Sequence, residues 1–358
     1  MKNKQEIHEI IDRVQSKIGH DVSADIPALE IAYQDERNGQ PLTIKILSIL
    51  GGVLASLAFV LFLYLSRLDR SQSAMYIFSA AFFLVSIGIN KRYDKVILDT
   101  ISVCLYILAY VLFSIALNMH TIITPYLTTT FFLIFALITL LICRSYILTF
   151  LSVLIFFGSC IHILFDTKND SLLHLLIIAL ASLNCYMMLN EAKIMTLKRT
   201  LANRYLAIRT GLAVSLLMSL YFVSRQTLID TNFQYNWLCS AGLIFLIIWI
   251  INTILNQFDR KQTDKKILIF VVVLISLGFT AMSPAITGAL LLLLLSFKVN
   301  YKTGIALGII SFIYAIGIFY YDLNMNLLHK SMTMFLAGLF FLLLYLLIFR
   351  KSTHHEKA

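Results

Sequence analysis

Polar side chains that could take part in chemistry are concentrated in one stretch near the C-terminus, YYDLNMNLLHKS, which lies between two strongly apolar segments. Its acid, amide, amine and hydroxyl groups could bind a polar ligand or a phosphate. The residues singled out there are Tyr320, Tyr321, Asp322, Asn326, Lys330 and Ser331. Two interpretations stay open, namely a capped and membrane-anchored helical hairpin and a binding site.

The local pattern of this stretch predicts a helix start. Asn326 is a favourable N-cap, and the tyrosine pair suits the headgroup layer of a membrane as an aromatic anchor. Lys330 would then lie in the first turn, where the helix dipole is unfavourable for a cation. We therefore expect Asp322 or a lipid phosphate to compensate its charge.

Few other ionisable or amide groups fall inside apolar runs. His162 and Asn184 do, and intramembrane polar residues are the first places to look for function. Asn184 is expected to hydrogen-bond a neighbouring helix, and Asp99 to pair with Lys95 one turn away. Arg209 is expected to extend towards the headgroups from the first turn of its span.

Composition predicts the environment of these groups. The chain is 59% hydrophobic and 13% charged, with a mean hydropathy of +0.84, and it contains repeated apolar runs of about 20 residues. A soluble domain of this length needs about a quarter of its residues charged. The sequence therefore predicts an all-α, polytopic transmembrane helix bundle with lipids as its surroundings.

About twelve spans are predicted, following a cytoplasmic N-terminal region of short amphipathic helices at 1–42 and preceding a cytoplasmic tail at 351–358. The first apolar run is long enough to span, so no cleavable signal peptide is expected. The transmembrane domain, 43–350, contains the following candidates: 44–65, 73–90, 96–117, 122–142, 145–165, 172–190, 206–223, 237–257, 267–282, 284–298, 303–321 and 327–349. Residues 267–298 could instead form one span and a re-entrant segment. The basic loop at 190–205 suggests, without a clear repeat, a division into six spans and six.

Charge predicts the orientation. With the N-terminus inside, twenty lysines and arginines fall on inner segments and five on outer ones, which places both termini in the cytoplasm. The net charge of +10 is accordingly assigned to the membrane face rather than to nucleic-acid binding.

Motifs for catalysis and for cofactor or metal binding are not found. The five cysteines form no CxxC pair and are expected to be small buried hydrophobes. There is no HExxH or GxSxG motif and no acid pair within a span. The sequence therefore predicts a protein that is not an enzyme and has no cofactor.

Three segments resemble a known family. The run FYYDLNMNLLHKSMTMFLAGLFFLLL from Phe319, the run PAITGALLLLLLSF from Pro284 and the run LSILGGVLASLAFVLFL from Leu47 are similar to segments of DUF4401, a family of bacterial membrane proteins without an assigned activity. The chain departs from that pattern at Asn326 and His329, where the family is expected to have threonine and often an acid. The resemblance implies the bacterial inner membrane and, as a partner, a second membrane protein with a GDYxxLxY signature.

Three functions follow as hypotheses, the last of which is an embedded enzyme that uses His162, His329 or Lys330. The first is a non-enzymatic component of a membrane complex, suggested by the scarcity of charge at span centres. The second is a transporter or flippase for a lipid-like or apolar solute, suggested by the number of spans. The sequence does not indicate the oligomeric state.

Overall fold

The computed structural model describes residues 42–92, 96–119, 125–143, 145–167, 169–197, 199–224, 236–255 and 283–322, with isolated positions between 273 and 280 and between 328 and 342. Within these ranges the chain is helical and contains no strand, which confirms the predicted all-α class. The helices are α1 (Leu42–Leu65), α2 (Gln72–Arg92), α3 (Val96–Asn118), α4 (Pro125–Ile142), α5 (Tyr146–Asp166), α6 (Asp170–Leu189), α7 (Glu191–Leu197), α8 (Arg199–Ser224), α9 (Asn236–Leu255), α10 (Pro284–Lys298) and α11 (Lys302–Asp322).

Seven of the described helices, α2, α3, α5, α6, α8, α9 and α11, are long and apolar enough to cross a membrane. The apolar portions of α1, α4 and α10 are shorter than these. The described boundaries agree with the predicted spans to within three residues, except that α8 begins at Arg199, seven residues before the predicted start at 206. The break predicted near Ser145 separates α4 from α5. The predicted N-terminal region, the tail and most of 267–282 and 327–349 lie outside the described residues.

The chain divides into two compact units, Met1–Thr121 and Ile122–Ala358. The six-plus-six division at 190–205 is therefore wrong as a description of packing. The reason is that α8, which follows that loop, packs against α5 and α6 from before it and against α10 from after it.

Unit 1 contains α1, α2 and α3, and a repeating series of polar contacts joins α2 to α3. Side chains at seven-residue intervals on α2, Gln72, Ser79 and Ser86, each bond a backbone carbonyl of α3, at Ala116, Ala109 and Ser102 respectively, over 3.2, 2.8 and 2.7 Å. The Ser102 hydroxyl donates back to the Ser86 carbonyl over 2.8 Å. A strict seven-residue repeat is the period at which two helices stay in register by supercoiling. Small and hydroxyl residues permit this close approach.

Unit 2 is arranged around α8. Two small residues bring α10 and α11 together as a hairpin, since a Cβ on Gly308 would lie 3.1 Å from the Cα of Leu293. Gly304 is one turn earlier on the same face of α11, which gives the GxxxG spacing typical of close helix pairs in membranes. Ser283 precedes Pro284 at the start of α10, the position where proline needs no amide hydrogen.

One end of unit 2 collects basic residues. The end of α4, the short helix α7, the start of α8 and the α10–α11 turn all lie at this end. We call it the basic end, because these segments contain Arg204, Arg209, Lys298 and Lys302. The α5–α6 turn and the start of α10 lie at the opposite end, since α6 and α10 each run towards the basic end.

Candidate functional site

Arg209 is the centre of a buried cluster at the basic end of unit 2. Its side chain is 9% exposed, and its Nη1 lies 3.1 Å from Oε2 of Glu191, whose side chain is 31% exposed. The guanidinium carbon lies 3.9 Å from the ring centroid of Tyr301 and 5.3 Å from that of Tyr205. We call Glu191, Tyr205, Arg209 and Tyr301 the Arg209 cluster.

The electrostatics of the cluster follow from burial. A nearly buried guanidinium needs an opposite charge and polarisable surroundings, which the Glu191 carboxylate and the tyrosine faces provide. The Tyr205 hydroxyl donates to the Met187 carbonyl over 2.9 Å and so fixes one ring. Burial raises the pKa of Tyr301, which keeps its hydroxyl neutral beside the cation. This arrangement holds three segments together, namely the start of α7, α8 and the α10–α11 turn.

A second arginine of α8 completes the basic end. Arg204 donates to the carbonyls of Leu140, Leu141 and Ile142 over 3.0, 3.0 and 3.2 Å. These are carbonyls of the last turn of α4, which lack partners within their own helix. A cation is also favoured there by the helix dipole, so Arg204 acts as a cap supplied by another helix.

An apolar groove lies in the half of unit 2 away from the basic end. It has a volume of about 390 Å³ and is bounded by α8, α10 and α11. The lining residues are Val214, Leu217, Met218, Leu220, Tyr221, Ser224, Ala285, Leu307, Ser311, Tyr314, Ala315 and Ile318. The rings of Tyr221 and Tyr314 are 5.7 Å apart at its wall. The groove extends from the middle of α8 to its last residue, about 15 Å at the rise of an α-helix, or half the thickness of a bilayer core.

The predicted C-terminal signature is only partly described. The rings of Tyr320 and Tyr321 are 5.8 Å apart, and Tyr321 is 81% exposed at the end of α11. Asp322 is the last residue of α11, and the Ser331 hydroxyl donates to the Leu328 carbonyl over 2.9 Å. Asn326, His329 and Lys330 lie outside the described residues, so the predicted cap and the predicted compensation of Lys330 stay predictions.

The two predicted intramembrane polar residues lie in different settings. His162 is more than half exposed; its Nδ1 lies 3.4 Å from Oδ2 of Asp166 and 3.2 Å from Oγ1 of Thr129. Asn184 is 1% exposed, and its amide nitrogen donates over 3.3 Å to Leu180 in its own helix, not to a neighbouring one as expected. The reason is that this carbonyl, one turn earlier, is within reach of the side chain.

The prediction that Arg209 extends towards the headgroups is wrong. The arginine is buried in the third turn of α8 rather than extended towards headgroups, because Glu191 and Tyr301 fold over it. Asp99 accepts a hydrogen bond over 3.2 Å from Asn90 on α2, and the expected partner Lys95 lies outside the described residues. Sequence reasoning missed the Arg209 cluster and the groove. Tyr205, four residues before Arg209, was an available signal for one contact.

Within the described ranges, no three histidine, cysteine, aspartate or glutamate side chains lie close enough together to bind a metal ion. The five cysteines are free thiols. Cys143, Cys185 and Cys239 are buried as predicted, whereas Cys104 and Cys160 are only partly buried.

Comparison with known proteins gives a family without an activity. A family model described as "Domain of unknown function (DUF4401)" matches residues 41–351. No curated protein and no solved structure matches the chain.

Proposed function

Since the chain belongs to the DUF4401 family, whose description names no activity, we propose a function from the geometry: a non-enzymatic membrane transporter or flippase for a lipid-like or apolar solute. The observation that carries the proposal is the groove on α8, α10 and α11, which extends from the middle of two spans to one of their ends. Its depth corresponds to one leaflet, and its wall is apolar apart from the hydroxyls of residues such as Ser224 and Ser311. A hydrocarbon chain is the ligand that such a wall accommodates best.

The polar groups of unit 2 support the same proposal. Arg204 and Arg209 are engaged in capping and ion pairing, so they hold helices together rather than line the groove. A wall with few charges suits an apolar molecule and gives little to coordinate an ion. We propose the bacterial inner membrane as the location, with both termini in the cytoplasm, because the basic end then faces the side that collects lysine and arginine.

Photo-crosslinking tests this proposal. Purified protein in vesicles is exposed to a phosphatidylcholine with a diazirine in its acyl chain, and labelled peptides are identified by mass spectrometry. We expect labels on groove residues such as Met218 and Tyr314. Ser311→Trp should fill the groove and remove most of this labelling, whereas Ile310→Trp, on the exposed face of α11, should leave it unchanged.

The same vesicles test movement. A headgroup-labelled fluorescent lipid becomes accessible to a membrane-impermeant quencher only if it crosses the bilayer. We expect crossing in vesicles with the parent protein and with Ile310→Trp, and background crossing with Ser311→Trp. Equal labelling and equal crossing in both tryptophan variants would contradict the proposal.

A second candidate function is a subunit of a membrane complex. It is favoured by α2, of which only 17% of the apolar window is buried. Its exposed face carries small residues, including Ser73, Ala80, Ala81 and Gly88. Faces of this kind pack against another helix more often than against lipid. The proposed partner is a second membrane protein of the GDYxxLxY type.

Isolation of the tagged protein from its native membrane in mild detergent tests the second function. A stoichiometric protein partner that is lost in Gly88→Leu, where a side chain meets no described neighbour, would support it. Loss of the same partner in Gly158→Leu, an open glycine on α5, would instead indicate a non-specific effect.

A further inference from the structure

The Arg209 cluster lies beyond the end of the groove that is nearer the basic end. On α8 the deepest groove residue, Val214, comes five residues after Arg209, and on α11 Leu307 comes six residues after Tyr301. These separations are about 8 and 9 Å along the helix axes. The opposite end of the groove is bounded by Ser224, Ala285 and Ile318, which belong to helix ends away from the basic end. The groove therefore extends to the helix ends away from the basic end on one side, and it stops about 8 Å short of the Arg209 cluster on the other.

One guanidinium connects the segments that would have to separate for the groove to continue to the basic end. The Tyr301 ring at 3.9 Å attaches the α10–α11 turn to α8, and the Glu191 carboxylate at 3.1 Å attaches α7 to α8. Because α10 and α11 touch at Gly308, where a Cβ would meet the backbone of Leu293, the hairpin is expected to move as one body. Release of Tyr301 from Arg209 would thus displace α10 and α11 together.

Buried polar atoms lie at the same depth as this closure. The Oδ1 atom of Asn184 on α6, the Oγ of Ser215 on α8 and the Oγ of Ser296 on α10 are buried and have no hydrogen-bond partner among the described residues. Buried polar atoms normally have partners, and water entering a separated interface would supply them.

We propose that Glu191, Arg209 and Tyr301 form a gate between the groove and the basic end, which opens when the α10–α11 turn leaves Arg209. The inference rests on the proposed transport function and adds its regulation: with Tyr301 on Arg209, the groove stops short of the basic end. Alternating access requires a second state with the gate open.

Cysteine accessibility tests the gate. Leu307→Cys is placed at the end of the groove nearer the basic end, in a protein whose five native cysteines are replaced. A membrane-impermeant maleimide is supplied at the face where Asn300 lies. Labelling of Cys-substituted position 307 should be slow in the parent and about tenfold faster in Glu191→Gln, as expected for the loss of one charged hydrogen bond. The matched control is Asp166→Asn, which alters the contact between His162 and Asp166 at the opposite end and should leave the rate unchanged.

A second pair of variants guards against misfolding. Tyr301→Phe keeps the aromatic face and should leave the gate closed, whereas Tyr301→Leu removes the face and should speed labelling as Glu191→Gln does. Equal rates in the parent, Glu191→Gln and Tyr301→Leu would overturn the gate. Faster labelling in every variant, the Asp166→Asn control included, would overturn it as well.

Acyl-chain crosslinking in the same samples separates the gate from the function it rests on. Crosslinks at Met218 without gate-dependent labelling at position 307 would leave the lipid groove standing and remove the gate. Gate-dependent labelling without crosslinks would remove the lipid-transport proposal and, with it, the role given to the gate.

Discussion

At the scale of single residues, Arg209 is a buried cation whose desolvation carries an electrostatic cost. Its charge is almost hidden from water and is balanced by Glu191 and by the Tyr301 ring. Removing one member of such a group leaves the others buried without compensation, which costs more than the interaction itself contributes.

Arg209→Gln should therefore lower the stability of the protein by about 2 kcal/mol, a value reduced from fully buried pairs because Glu191 is partly exposed. The stability of Arg209→Lys should lie between that of Arg209→Gln and that of the parent, because lysine keeps the charge but lacks the flat surface that stacks on Tyr301. Thermal unfolding in detergent measures both. The control is Arg70→Gln at an exposed turn, and a shift in Arg70→Gln as large as that in Arg209→Gln would contradict the argument.

Arg67 carries a different kind of cost, since its φ is 55° and its side chain makes no cap hydrogen bond. A residue with a Cβ loses about 1 kcal/mol in this left-handed conformation relative to glycine. Arg67→Gly should raise the unfolding temperature in detergent. Asn300→Gly, at φ 57°, should change it less because asparagine tolerates this conformation. A fall in Arg67→Gly would show that the backbone is relaxed there.

At the scale of elements, glycine positions decide how closely the helices pack. A side chain on Gly308 would meet the backbone of Leu293, which cannot rotate away, whereas Gly317 on the same helix has open space around it. Gly308→Leu should separate α10 from α11 and reduce folded yield several-fold. Gly317→Leu should leave yield near the parent value, as measured by fluorescence-detected size-exclusion chromatography. Equal yields would mean that the hairpin does not depend on this contact.

The sequence predicted the elements well and their neighbours poorly. Long apolar runs and breaks such as the one before Tyr146 fixed helix positions to a few residues, because burial in a bilayer demands length and composition. The sequence did not predict that the Glu191 carboxylate pairs with Arg209 or that the Tyr301 ring covers the Arg209 guanidinium. Those contacts depend on how α7, α8 and the α10–α11 turn meet, and residue spacing reports only neighbours within one helix. The same holds for the groove, whose wall comes from three helices.

At the scale of the whole molecule, the basic end and the opposite end of unit 2 should face different sides of the membrane. Asn300 and Asn169 are exposed turn residues at these two ends. With the basic end in the cytoplasm, Asn169→Cys should react with an impermeant maleimide added outside intact cells, and Asn300→Cys should react only after the membrane is broken. The reverse pattern would invert the proposed topology and leave the fold unchanged.

The bond between Arg204 and the end of α4 has a consequence for how the chain is made. The carbonyl of Leu140 and the arginine that binds it are 64 residues apart, with α5, α6 and α7 between them. During synthesis the α4–α5 hairpin leaves the ribosome well before its cap exists, and until then water at the membrane face must satisfy those carbonyls. Arg204 therefore caps the end of α4 only after the start of α8 has been synthesised. Its hydrogen bonds then attach the α4–α5 hairpin to α8.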